Sequence, residues 1–264
     1  MSAVPAPDSG QANPARIYDY LLGGKNNYAA DRRAGEELKK AKPDLVPNVL
    51  ASRAFLVRAV RYLASTAGIR QFLDIGTGLP TSNPTHEVAQ QAAPAAKVVY
   101  VDNDPAVLVH AQALLTTTGD GSCSFVEADL RDPERLLHLA RDTLDFRKPV
   151  AVMLLGILYL IADEEDPDGI VGQLMAATAP GSYLLILHPA SDIHADQAAR
   201  AAGRYARRTG IAQTNRSRPE VARFFGGLEL LEPGVVQANR WRPARDEDAR
   251  PELSNWAGVG RKPG

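Results

Sequence analysis

The segment that most constrains how this chain can fold is QFLDIGTGLPTSNPTHEVAQ, Gln71 to Gln90. An apolar run ends in Asp74-Ile75-Gly76-Thr77-Gly78, and prolines and small polar residues then lead into a helix-like pattern. A strand that closes in a glycine turn and re-enters a helix opens a βαβ unit. The glycines remove Cβ atoms so that a ligand can approach the backbone, and the helix start offers unpaired N–H groups. A dinucleotide turn places a third glycine where the helix packs closely on the strand. Here Leu79-Pro80-Thr81 stands in that place.

Downstream, short apolar runs alternate with helical patterns, as parallel βα units do. Strands are expected at Gln71–Ile75, Val98–Val101, Ser124–Glu127, Val150–Leu155 and Tyr183–Leu187. Helices are expected at Thr85–Ala93, Pro105–Thr116, Pro133–Leu144, Asp166–Ala179 and Asp192–Arg208, several of them starting with Pro or an acid in the first turn. Late in the chain, FGGLELLEPGVV and WAGVGRK suit a hairpin on the sheet edge. Before the sheet, NPARIYDYLLGG reads as a short helix stopped by Gly23 and Gly24, followed by helices over Asn27–Lys40 and Pro47–Thr66. The expected organisation is a floppy tail over 1–13, a helical lid over 14–68 and an α/β domain with a doubly wound, mostly parallel sheet over 69–264.

In such a sheet ligands lie at the C-terminal strand ends. Asp74, just before the glycines, would sit poorly against a pyrophosphate and well against an ammonium group. Its rival role is an Asx-type cap on the turn. The strand KVVYVDND ends in Asp102, 26 residues after Gly76, near the spacing at which a carboxylate accepts from ribose hydroxyls. Asp102 could alternatively face the start of the next helix, a role that Asp104 can also fill. The third strand ends in EADL, bringing Asp129 to the same edge. One carboxylate for an amine, one for a ribose and one for a base suit a nucleoside with a cationic amino-acid tail, which describes S-adenosylmethionine.

Asp74-Ile75-Gly76-Thr77-Gly78, Asp102 and Asp129 resemble the first three motifs of class I S-adenosylmethionine-dependent methyltransferases. ARIYDYLLGGKNNYAADR, with FLDIGTGLPTSNPTHEVAQ and VVYVDNDPAVLVHAQALL, further resembles the actinobacterial S-adenosyl methyltransferase family once catalogued as a domain of unknown function. The resemblance runs from Ala15 over nearly the whole chain. It implies a seven-stranded Rossmann-like methyltransferase sheet, an N-terminal helical lid and S-adenosylmethionine as cofactor. It also implies that Asp74, Gly76 and Gly78 line the methionine half of the cofactor, Asp102 the ribose, and Asp129 with Leu130 the adenine, with Thr77 and Asn103 also binding the cofactor. Gly156, which opens the loop after strand four, would join them.

The lid carries Tyr18, Tyr20, Gly23, Gly24 and Tyr28 within eleven positions. Aromatic faces attract a sulfonium cation, so this cluster is expected to cover the cofactor; half-buried packing is the competing role for any one tyrosine. His86 is expected to donate to the cofactor carboxylate or else to cap its helix. The loop GILYLIADEED lacks the Asn/Asp-Pro-Pro-aromatic signature of many nitrogen methyltransferases, which disfavours nucleobase nitrogen, and its apolar character suits a small acceptor. His188, at the end of LLILHPA, is the candidate general base, with a structural histidine as the alternative. His110 and His138 fall within helical patterns, and no metal-ligand spacing stands out.

A net charge of -1 leaves no overall field to recruit nucleic acid or an anionic membrane. The arginines at 204, 207, 208, 216, 218 and 223 read as solvated helix faces. No apolar run reaches membrane-spanning length, and Cys123 is the single cysteine, expected as a small buried hydrophobe; a reducing, cytoplasmic setting follows. Two rivals to a methyltransferase remain: a non-catalytic S-adenosylmethionine-binding regulator, and an NAD-type oxidoreductase, which the missing third glycine disfavours.

Overall fold

The computed structural model describes residues 10–105, 107 and 121–264. Its sheet is seven-stranded, in the order β3-β2-β1-β4-β5-β7-β6. The strands are β1 (Gln71–Ile75), β2 (Lys97–Asp102), β3 (Ser122–Glu127), β4 (Ala151–Leu155), β5 (Tyr183–Pro189), β6 (Glu229–Leu230) and β7 (Asn255–Arg261). The first five pair in parallel, and β7 runs antiparallel to β5 and β6. The expected late hairpin is therefore present, with one partner only two residues long. The strand order reverses between β1 and β4, which opens a crevice at their C-terminal ends.

β1, β2, β4 and β5 are nearly continuous buried runs because both faces are covered, whereas the edge strand β3 is only half-buried; alternate residues serve opposite layers. Leu73, Ile75, Val99, Val101, Val152, Leu154, Leu184 and Ile186 pack toward α5 (Pro133–Ala140) and α6 (Pro167–Ala176). Phe72, Val98, Tyr100, Ala151, Met153, Leu185 and Val259 pack toward α3 (Leu45–Ser65) and α4 (Thr85–Ala92). Asp74 shares the parity of Phe72, so the one carboxylate within β1 belongs to the α3/α4 face. The helix expected over Pro105–Thr116 lies, beyond its first residues, outside the described residues, as does His110.

A third, smaller core joins α1 (Pro14–Leu21), α2 (Ala29–Ala41) and α7 (Ala195–Thr209) through Ile17, Leu21, Ala34, Leu38, Ala201 and Tyr205. The segment expected as one lid is thus shared between two cores: α1, α2 and the start of α3, through Val49, pack with α7, while the rest of α3 is part of the sheet's own helix layer through Phe55, Ala59, Val60 and Leu63. The tail expected over 1–13 also ends earlier, because residues 10–13 are anchored. Ala12 is buried, Gln11 Nε2 donates to Thr209 O (2.7 Å), and Asn13 caps α1 and donates from Nδ2 to Asp104 Oδ2 (2.6 Å).

Candidate active site

The β1 turn is built as its glycines suggest. Gly76 and Gly78 adopt φ of +74° and +64°, which side chains with a Cβ resist. Gly76 N donates to Val101 O (2.8 Å), and a Cβ on Gly76 would lie 2.7 Å from Ile157. The turn and the loop after β4 therefore touch, and glycine is the residue that lets them. Gly156 opens that loop at φ +86°, its N–H donating to Leu187 O (3.0 Å). α1 crosses above the turn, with Ala15 Cβ 3.8 Å from where a Gly78 Cβ would stand.

Beside the turn, on the α3/α4 face, is a cavity of about 230 Å³. Asp74, Thr77, Gly78, Thr85, His86, Tyr100 and Arg53 contribute to its wall. Asp74 is almost fully buried and accepts from Thr85 Oγ1 (2.6 Å). Burial pushes its carboxyl up to about 6, against the Thr85 hydrogen bond and the Arg53 charge. The Tyr100 hydroxyl accepts from His86 N–H (2.9 Å) and lies 2.9 Å from His86 Nδ1, and burial holds His86 below its ordinary pKa, hence neutral.

The next carboxylates stand along the same edge. Asp102 Oδ2 accepts from Gly78 N (2.9 Å) and Oδ1 from Asp104 N (3.0 Å), so Asp102 braces the glycine turn; burial raises its pKa despite those amides. Asn103 Nδ2 donates to Asp129 Oδ2 (2.8 Å), tying the ends of β2 and β3 together. Burial would raise Asp129, but the Arg131 amide, Asn103 and the Arg131 guanidinium hold it below the usual carboxylate range. Leu130, buried, is part of the core beneath.

Three expectations need correction. His188 is completely buried; Arg216 Nη1 can only donate, so His188 Nε2 accepts from it (3.0 Å) and Nδ1 donates to Pro189 O (2.9 Å). Burial lowers its pKa to about 4. With its lone pair engaged and no opening to the cleft, His188 is not positioned as a general base. Arg216 in turn is buried, not solvated: it also donates to Leu158 O, Ile161 O and Asp163 Oδ1, and so fixes the loop after β4. The other arginines of that group are partly or fully exposed. Tyr20 is not over the cleft, since its ring packs on Gly35 of α2, its hydroxyl donates to Glu36 (2.5 Å) and Lys39 sits over the ring.

Tyr28 heads α2, 40% exposed, with Arg16 over its ring. Tyr18 alone of the three lies inward. It is packed against the α1–α2–α7 core, its phenol pushed up to about 12 by burial and influenced by Arg53 and Tyr159. The Gly23-Gly24 break is a built turn. Gly23 has φ +79°, whereas Gly24 is needed because a Cβ there would collide with the Asp19 carboxylate. Buried Asp19, which pattern reading passes over, accepts from Asn26 N (2.9 Å) and Asn27 Nδ2 (2.8 Å). Cys123 is half-buried against the sheet core, its thiol pushed up to about 12 by burial, and His138 is exposed.

A seven-stranded, mostly parallel sheet with a β1/β4 crevice, a positive-φ glycine turn and carboxylates along its C-terminal edge has the architecture of a Rossmann-like methyltransferase fold. The chain belongs to the S-adenosyl methyltransferase family, whose model matches residues 3–263. It is similar to a DUF574 family protein from Streptomyces avermitilis, at 43% identity over 98% of this chain and 100% of that one, TM-score 0.90. It is also similar to a protein from Thermobifida fusca described as a proposed methyltransferase, at 41% identity over 98% of each chain, TM-score 0.90. Human N-acetylserotonin methyltransferase in complex with S-adenosylmethionine shares the fold, at 14% identity over 97% of this chain and 64% of that one, TM-score 0.50. Comparison with curated proteins returns no match. The protein is an S-adenosylmethionine-dependent methyltransferase. Among the described residues no helix is long and apolar enough to cross a membrane, and no group of His, Cys, Asp or Glu could hold a metal ion.

Proposed function

We propose that this methyltransferase acts on a small-molecule acceptor, with the cofactor lying across the C-terminal ends of β1, β2 and β3. The observation that carries the reading is the placement of Asp74, Asp102 and Asp129 at successive strand ends around a turn where glycine is sterically required. Those residues fit S-adenosylmethionine. Asp74 would hold its ammonium, and Gly76, Thr77 and Gly78 would follow its methionine chain. Asp102 and Asn103 would take the ribose hydroxyls, with Asp129 and Leu130 beside the adenine. Gly156 opens the facing loop at φ +86°, a conformation that residues with a Cβ resist. When bound, the cofactor supplies an electrophilic methyl group on a sulfonium.

The protein's own contribution is alignment. Arg216 fixes the loop from Leu158 to Asp163, which would face the acceptor, and Tyr18 would close the cleft from α1. Holding two reactants in line supplies on the order of 7 to 11 kcal/mol of a barrier. With His188 buried and its Nε2 engaged by Arg216, an acceptor that is already nucleophilic at neutral pH suits the described residues best. The apolar loop Leu158–Ile161 suits an acceptor of modest size with an apolar part. A cytoplasmic setting, expected from the single cysteine, stays part of this reading.

The test is incubation of the protein with methyl-labelled S-adenosylmethionine and fractionated small molecules. Label in a product below about 1 kDa is the expected outcome. Label that enters only protein or nucleic acid would overturn the small-molecule assignment.

A further inference from the structure

Arg53 is the cation of the cavity beside the glycine turn, and no motif singles it out. It lies on α3, half-buried, and lines the same cavity as Asp74. Its Nη2 donates to Ser82 O (3.1 Å) and Asn83 O (2.9 Å), two carbonyls of the segment between the turn and α4. Those bonds aim the guanidinium, while Nε and Nη1 have no protein acceptor among the described residues. No carboxylate lies within ion-pairing distance of Arg53 among the described residues, in contrast to Arg16, Arg131, Arg208 and Arg216. Asp74 likewise has Oδ1 without a protein donor among the described residues. A half-buried guanidinium with an unused edge and a buried carboxylate with an unused oxygen thus share one cavity. That pairing matches an α-amino acid zwitterion, ammonium to Asp74 and carboxylate to Arg53.

We propose that Arg53 is the receptor for the carboxylate at the amino-acid end of S-adenosylmethionine, completing with Asp74 a two-charge clamp that selects cofactors carrying an intact α-amino acid. This rests on the cofactor reading above, and it assigns to Arg53 the contact that His86 was expected to make. Neutral, with Nδ1 against the Tyr100 hydroxyl, His86 offers one Nε2–H at most, whereas Arg53 offers a full charge and several parallel donors. Because Arg53 also fastens Ser82 and Asn83, carboxylate binding and the order of that segment are linked.

The experiment is calorimetric titration of wild type, Arg53→Met and Arg53→Lys with S-adenosylmethionine and with its decarboxylated analogue, which keeps the sulfonium and the ammonium and lacks only the carboxylate. Wild type should bind the intact cofactor about ten- to a hundredfold more tightly, the range for a hydrogen-bonded charge. In Arg53→Met that preference should collapse to within about twofold, and Arg53→Lys should restore part of it. The wild-type comparison stands even where a variant folds poorly. Equal weakening of both ligands in Arg53→Met, with the preference intact, would show that Arg53 only braces the Ser82–Asn83 segment and would overturn the proposal. So would a wild type that binds both ligands equally. A wild type that binds neither ligand would overturn the cofactor site itself, a failure distinct from that of Arg53.

Discussion

Asp74 is the residue whose chemistry the protein alone leaves unfinished. Its carboxyl titrates near 6 instead of near 3.8, because burial disfavours the charge more than Thr85 and Arg53 favour it. A folded pKa raised above the unfolded value means that the protonated form gains on folding. That gain is complete below about pH 4 and is lost as pH rises to about 6; above that, the buried charge costs roughly 3 kcal/mol. An ammonium beside it removes much of the cost, so cofactor should raise the melting temperature more at pH 8 than at pH 5, read by thermal shift. Asp102, Glu87 and Arg53 also charge this region, and burial holds His86 below its ordinary value. Asp74→Asn should weaken cofactor binding about ten- to a hundredfold at pH 8 and flatten the pH profile; an unchanged profile would assign the titration to another group. Gly76→Ala, strained at φ +74° and driven into Ile157, should abolish binding or lower the melting temperature by several degrees. Asp74, Gly76 and Gly78 were legible because a strand end, an acid and two glycines coincide in one stretch. Arg53 was not: LVPNVLASRAFLVRAVRYLAS carries arginines at 53, 58 and 61 with no local feature that sets Arg53 apart, and only the tertiary fold places it at the cavity. His188 misled for the converse reason, since a strand-end position says nothing about Arg216 arriving from a distant loop to occupy Nε2.

At the scale of elements, β1, β2, β4 and β5 were readable because covering both faces demands nearly uninterrupted apolar runs; the half-buried edge strand β3 offers only Phe125-Val126, and β6, two exposed residues, carries no such signature. The helical segment before the sheet was readable as helices but not as to what each packs on. That depends on α7, more than 150 residues away, whose Ala201 and Tyr205 close the small core with α1 and α2. The α1–α2 connection is held by Asp19 through Asn26 and Asn27. Gly24→Val should therefore act by displacing that carboxylate from Asn26 and Asn27, lowering stability by about 1 to 3 kcal/mol in denaturant melts, more than Gly23→Ala, which meets strain at φ +79° but open space. If α1 covers the bound cofactor, amide exchange across Ile17–Leu22 should slow when cofactor is added, by mass spectrometry. Exchange unchanged by cofactor would make α1 a packing element only.

For the whole molecule, the sheet polarity sets where chemistry can occur: β1 to β5 all end at one edge, and α1, the glycine turn and the Arg216-held loop meet there. With a net charge of -1, the molecule has no global field to gather a polyanion, so recognition rests on local groups. The most direct measurement of this account is a crystal structure of the complex with S-adenosylhomocysteine. It should show the amino-acid end between Asp74 and Arg53, the ribose hydroxyls on Asp102, and the adenine beside Asp129 and Leu130. A ligand bound away from these strand ends, or one with its amino-acid end outside the Asp74 cavity, would contradict it.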